Sequence, residues 1–224
     1  AYLEHARFAA GLFREFGAIR QVECWGDDVK DGHTTDFRRA VQAGNDETVV
    51  FAWIEWPDKD TRDAGMARIM EDPRMADMDM PFDGKRMIYG GFRPIVDERA
   101  GAQAGYVDGF LVPVEPGKQE PYRDLALAGY PIFRDHGIQR HVEAWGDDVP
   151  AGTVTDFAGA VKAEGDETTV FSWFEWPDRE ARDKGVAGFM ADPRMKEMPS
   201  EMPFDGKRMV MGGFRVIMDE RAEA

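Results

Sequence analysis

The chain has 224 residues, 43% of them hydrophobic, which is enough for one large domain or two small ones with a real core and too many for a largely disordered chain. A formal net charge of −15 argues against general affinity for nucleic acid or an anionic membrane surface, since both reward clustered Lys and Arg. A single cysteine, Cys24, excludes an internal disulfide framework and any multi-cysteine metal centre, and no stretch approaches the roughly 18 uninterrupted apolar residues of a membrane-spanning helix, so a cytoplasmic setting is expected.

The elements come twice. GAIRQVECWGDDV at 17–29 returns as GIQRHVEAWGDDV at 137–149 with 9 of 13 positions identical, FAWIEWPD at 51–58 as FSWFEWPD at 171–178, and MPFDGKRM at 80–87 unchanged at 202–209. A tandem duplication with a repeat of about 120 residues follows, divided as 1–97 and 105–224 with a linker over 98–104. In chain order, an amphipathic helix is expected over 2–16, closed by Gly17 in a left-handed C-cap position. A strand over 19–25 comes next, then a polar connection holding one short helix capped by Thr35 or Asp36. A strongly apolar strand over 48–56 stops at Pro57, and Asp58 caps a second helix over 59–71 that DPRM ends. The last strand spans 85–96 and carries a Gly-Gly pair suited to a bulge.

The second copy repeats this order with a helix over 121–136 closed by Gly137, strands over 138–145 and 168–176, a helix over 179–191 and a strand over 207–218. It also opens on YVDGFLVPV, a strong strand pattern ended by the EPGK turn. The first copy lacks about fifteen residues there, and a matching strand is expected ahead of Ala1.

The order per copy, β-α-β-β-α-β, is the ferredoxin-like plait, with both helices on one face of an antiparallel sheet. TVVFAWIEW is apolar on both faces, so the face turned from the helices must also be covered. Two equal copies solve this by packing sheet against sheet. The expected fold class is α+β, two ferredoxin-like repeats forming a pseudo-dimeric α+β barrel within one chain, as a monomer or weak oligomer.

WGDDV, the F-x-W strand, ADPRM, MPFDGKRM, GGF and YVDGF together resemble the domain-of-unknown-function 1428 (YbaA-like) family of the dimeric α+β barrel superfamily. The resemblance covers the second copy and the first copy from its first helix onward. It implies two family members fused in one chain. It brings no activity with it, since superfamily relatives range over cofactor-free monooxygenases, isomerases, haem enzymes and binders.

Candidate chemistry is sparse. No histidine recurs in both copies, which excludes a symmetric histidine site; His141 stands out because it shares a strand with Glu143 and Trp145. Glu23, Glu55, Glu143 and Glu175 lie in apolar strands, and Asp108 in the YVDGF strand, where a carboxylate facing inward gains a raised pKa and can act as a base. Lys85, Arg86, Lys207 and Arg208 open the last strands and either recognise an anion or pair with neighbouring carboxylates such as Asp83 and Asp205. Trp25, Trp53, Trp145 and Trp173, with the methionines, are core residues or the lining of a pocket. No metal site and no cofactor is expected, and demonstrable catalysis is not the leading expectation. The leading reading is a small-molecule binder; a cofactor-free enzyme of monooxygenase or isomerase type and a non-catalytic structural or interaction module are the alternatives.

Overall fold

A computed structural model describes residues 1–76 and 80–222. Along the first repeat the elements are α1 (Tyr2–Glu15), β1 (Arg20–Asp28), α2 (Phe37–Ala40), β2 (Val50–Glu55), α3 (Lys59–Glu71), α4 (Pro73–Ala76) and β3 (Gly91–Arg99). The second repeat supplies β4 (Tyr106–Val114), α5 (Gln119–Asp135), β5 (Arg140–Asp148), α6 (Phe157–Ala160), β6 (Thr168–Trp176), α7 (Arg179–Ala191) and β7 (Val210–Arg221). The local signals act as their chemistry requires. Gly17 and Gly137 take φ of +110° and +100° just past their helices. The Asp58 and Asp178 carboxylates accept from the backbone N–H of Thr61 and Ala181 at 2.7 and 2.8 Å.

The chain forms two compact units that cut across the repeats, one of Ala1–Trp25, Val50–Gly84 and Val216–Ala224, the other of Gly26–Val49 and Lys85–Arg215. In the larger unit the strand order is β7-β4-β6-β5-β3. Its first four members, all from the second repeat, have the order of a ferredoxin-like sheet, with every pairing given for them antiparallel. The fifth, β3, comes from the first repeat and runs antiparallel to β5 from Gly91↔Asp148 to Arg99↔Arg140. The smaller unit shows the reciprocal arrangement. There β1 pairs antiparallel with β2 from Arg20↔Glu55 to Trp25↔Val50, and the end of β7 lies beside β1, where Ala222 N–H donates to Ile19 O at 2.9 Å. The first repeat thus gives β3 to the sheet of the second, the second extends the end of β7 beside β1, and the fold class is α+β with two ferredoxin-like repeats paired within one chain.

The two faces of β6 are both covered. Val170 packs with Val112, Val114 and Tyr122, and Trp176 with Tyr106, Tyr130 and Ile138. On the opposite face Phe171 meets Phe157 of α6 and, at 5.4 Å between centroids, Phe92 of the first repeat. Phe51 and Trp53 are 4% and 8% exposed and their counterparts Phe171 and Trp173 9% and 4%, so the aromatic strand faces expected to be covered are covered.

Several boundaries differ from those expected. Gly84–Arg86 form a 3-10 turn and β3 starts only at Gly91, while β7 starts at Val210, because each KRM segment belongs to the preceding turn; in the second repeat that turn is tied by the Arg208–Asp205 ion pair. Asp97–Arg99, which read as the edge of the linker, continue β3 because β5 hydrogen-bonds alongside them. Pro94 is tolerated in β3 because the strand lies at the end of the order, and a bulge sits beside it. Asp36, not Thr35, caps α2, accepting from Arg39 N–H at 2.8 Å; the Thr35 hydroxyl donates to Ala160 O at 2.6 Å. No helix among the described residues is long and apolar enough to cross a membrane.

Candidate functional site

The period-two alternation of β5 sends Arg140, Val142 and Ala144 to one face and His141, Glu143 and Trp145 to the other. On the second face α5 places Tyr122 over Glu143. Its hydroxyl donates to Glu143 Oε2 at 2.6 Å, and His141 Nε2 meets the other oxygen, Oε1, at 2.7 Å. All three residues are buried, at 5%, 6% and 1% exposure. Rings close around the imidazole, Phe174 edge-on at 4.7 Å and Phe133 at 6.0 Å, and among the described residues His141 Nδ1 has no hydrogen-bond partner. Burial, reinforced by the adjacent Glu143 charge, pushes the Tyr122 phenol well above its ordinary pKa, so it stays a proton donor.

The first repeat builds the same chain with one change. Tyr2 donates to Glu23 at 2.7 Å, and Gln21, in place of His141, donates its amide to Glu23 Oε1 at 2.7 Å. Here too a buried polar atom, Gln21 Oε1, has no hydrogen-bond partner among the described residues. Burial raises the Glu23 pKa, although Tyr2 and Gln21 both stabilise the carboxylate.

The Pro-Phe-Asp-Gly turns lean on these chains. Phe204 meets Tyr122 at 5.7 Å and Phe82 meets Tyr2 at 6.1 Å, each edge-on. Beside Phe204 lies an open depression of about 220 Å³ walled by Lys118, Glu167, Met202, Pro203, Asp205 and Arg208, among others.

The other candidates fall into separate groups. Glu175 accepts from Trp173 Nε1 at 3.1 Å and from Arg140 at 3.3 Å, while Arg140 also binds Asp97 through two nitrogens at 2.7 and 2.9 Å. Glu55, Trp53, Arg20 and Asp219 repeat that cluster in the smaller unit, with Arg20 bound to Asp219 at 2.8 and 2.9 Å. Burial alone would raise the Asp97 and Asp219 carboxyls, but the arginine bonds prevail and hold both below the ordinary range. Asp108 stands apart, accepting from Trp176 Nε1 at 2.9 Å and from Arg182; burial raises its pKa despite those donors. Trp25 packs edge-on against Tyr2, and Trp145 against the Val112–Val170 cluster. Arg86 pairs with Glu47 and Arg208 with Glu167 and Asp205, so both arginines are engaged by carboxylates, while Lys85 and Lys207 are exposed. Among the described residues no three His, Cys, Asp or Glu side chains gather as a metal would require.

The structure therefore joins His141 to Glu143, and Glu55 and Glu175 to their tryptophans. Tyr2, Tyr122, Arg20, Arg140, Asp97 and Asp219 complete these groups and were not singled out from the sequence. The available signal was an arginine two residues ahead of each V-E strand core, present in both copies.

The model of the family described as "Protein of unknown function (DUF1428)" matches residues 1–84 and 105–206. Over 115 residues the chain is 54% identical to "Uncharacterized protein YbaA" of Escherichia coli strain K12, covering 51% of this chain and 98% of that protein. YbaA of Shigella flexneri matches with the same figures. A solved structure titled "Crystal structure study of anthrone oxidase-like protein" aligns with a TM-score of 0.49 at 12% identity, covering 100% of this chain and 90% of that one.

Proposed function

The chain belongs to the DUF1428 family, and from its geometry we propose that it binds a small molecule at the Tyr122–Glu143–His141 chain of its second repeat. The observation that carries this reading is the orphaned His141 Nδ1. A buried polar atom without a partner costs about 1–3 kcal/mol, a penalty an apolar residue would avoid. The first repeat bears the same penalty at the same position through Gln21, so a polar group is kept there twice. A ligand that reaches Nδ1 would relieve it. Phe204 stands between Tyr122 and the 220 Å³ depression, and its displacement is the proposed entry. Trp145 and Met209 lie in the surrounding apolar cluster, so the ligand would be compact, mostly apolar, and carry one hydrogen-bonding group.

A cofactor-free enzyme is the second reading, favoured by the His141–Glu143 contact. A carboxylate on Nε2 fixes the imidazole tautomer and leaves Nδ1 as the proton acceptor, the arrangement of a general base.

The test is a thermal-shift and native mass-spectrometry screen of the full chain, repeated on His141→Gln, which recreates the first-repeat arrangement. Ligands that stabilise the wild type and lose about tenfold or more in affinity with the variant support the proposal. Equal binding by both proteins, or no ligand at all, would overturn it. Turnover of a bound compound, lost in the variant, selects the enzymatic reading.

A further inference from the structure

The Tyr122–Glu143–His141 chain runs in one direction. A carboxylate only accepts hydrogen bonds, and Tyr122 donates to Glu143 Oε2 at 2.6 Å, so the proton in the 2.7 Å contact at Oε1 comes from His141 Nε2. Imidazole is a stronger base than a carboxylate, which places that proton on the ring nitrogen and not on Glu143. His141 Nδ1 then carries a bare lone pair, unused among the described residues. A second proton there would set a charged donor without an acceptor beside the Phe174 and Phe133 rings, at 4.7 and 6.0 Å, a costlier state than an idle lone pair.

The first repeat has the same polarity. Gln21 donates its amide nitrogen to Glu23 Oε1 at 2.7 Å, and the atom left over is its oxygen, again an acceptor. An imidazole nitrogen is a far stronger base than an amide oxygen, so the second repeat makes the better site. The surroundings restrict the rest of a ligand. Tyr130 lies 6.2 Å from the imidazole, and Phe174 also meets Phe133 at 5.1 Å and Phe110 at 5.2 Å, so the neighbourhood is built of rings. A neutral aromatic molecule suits such a lining.

Resting on the ligand-binding reading above, we infer that this site takes a neutral aromatic donor, a phenol-type hydroxyl or a pyrrole-type N–H, whose proton is directed at His141 Nδ1. A carbonyl, ether or carboxylate would bring one acceptor to another. An ammonium would bring three N–H groups to a single acceptor and strand two of them in apolar surroundings. A phenol or an indole donates one proton, and conjugation with its ring leaves little acceptor strength to satisfy.

The probes are matched compounds titrated into the full chain: para-cresol against para-xylene, para-methylanisole and para-tolualdehyde, and indole against N-methylindole. The donor of each set is expected to bind about tenfold or more tighter than its partners, and to move the His141 Nδ1 resonance in nitrogen-15 spectra. Preference for one set over the other separates hydroxyl from ring N–H as the source of the donor. His141→Leu removes the acceptor and should erase the preference for donors; the nitrogen resonance answers the same question on the unaltered protein should that variant fold poorly. Equal binding of donors and their partners, an unmoved Nδ1 resonance, a preference that survives His141→Leu, or a blank panel overturns the inference. A ligand from the wider screen that needs His141 yet carries no donor overturns the donor assignment and leaves the binding reading standing. A blank screen, or indifference to His141→Gln, removes both.

Discussion

Glu23 shows how burial sets the behaviour of single residues here. Its carboxyl titrates above the ordinary 4.5, with burial the main cause. An unfolded chain ionises Glu23 first as pH rises, so the folded state loses stability from about pH 4.5 upward, until its own pKa is passed. Glu23→Gln removes that loss. Urea unfolding of the two proteins should show the variant gaining on the wild type as pH rises above about 4.5; a difference independent of pH would refute the account. Gly185 makes a second point at this scale. A methyl group there would press on the Trp176 ring at 2.4 Å and on His136 O at 2.6 Å, and backbone does not give way. Gly185→Ala is expected to cost about 1–3 kcal/mol despite the helix preference for alanine, measurable as a lower urea midpoint with unchanged slope.

Among elements, the β3–β5 pair depends on a charge. The Arg140 side chain is 4% exposed and grips Asp97 of β3 and Glu175 of β6 at once, lying over the Trp173 ring at 5.5 Å. One guanidinium therefore joins three strands from two repeats, and Arg20 does the same for Asp219 and Glu55. Such a cluster fixes register more than it adds stability, because desolvation offsets much of the attraction. Removing one member is another matter. Arg140→Ala takes the Arg140 charge from the buried Glu175 and from Asp97 and is expected to cost about 3–5 kcal/mol, with faster amide exchange along 91–99. Arg99, half-exposed and paired with Asp97 at 3.3 Å, should change stability by no more than about 1 kcal/mol when replaced by alanine.

At the scale of the molecule, neither repeat completes its own core. The larger unit takes α2 and β3 from the first repeat: Phe37 stacks edge-on against Phe214 at 5.1 Å, Thr35 bonds to Ala160 O, and Asp27 accepts from Tyr106 and Arg179. Phe37→Ala, in a four-residue helix that looks peripheral, is expected to destabilise by about 3–5 kcal/mol and to release protection in the β7–β4 pair of the other repeat. Loss of protection confined to residues 30–45 would show the repeats to be energetically separate. Reciprocally, Met218 of β7 packs on Ala6 and Ala10 of α1.

The duplication, the order of elements, the helix caps at Asp58 and Asp178, and the burial of the F-x-W strands were legible from residues alone, because propensity, capping and period-two patterning act over a few positions. So was the suspicion attached to His141 and Glu143, two residues apart on one strand. Tertiary structure alone decided the rest. Arg140 meets Asp97 across 43 residues and Tyr122 meets Glu143 across 21, and no local pattern couples such distant positions. Asp97 read as the edge of the linker, past the last strand, because its polarity matched solvent as well as it matched a buried guanidinium. Which repeat receives a last strand depends on backbone pairing between distant segments, and identical strings in the two copies make that choice invisible until the chain folds.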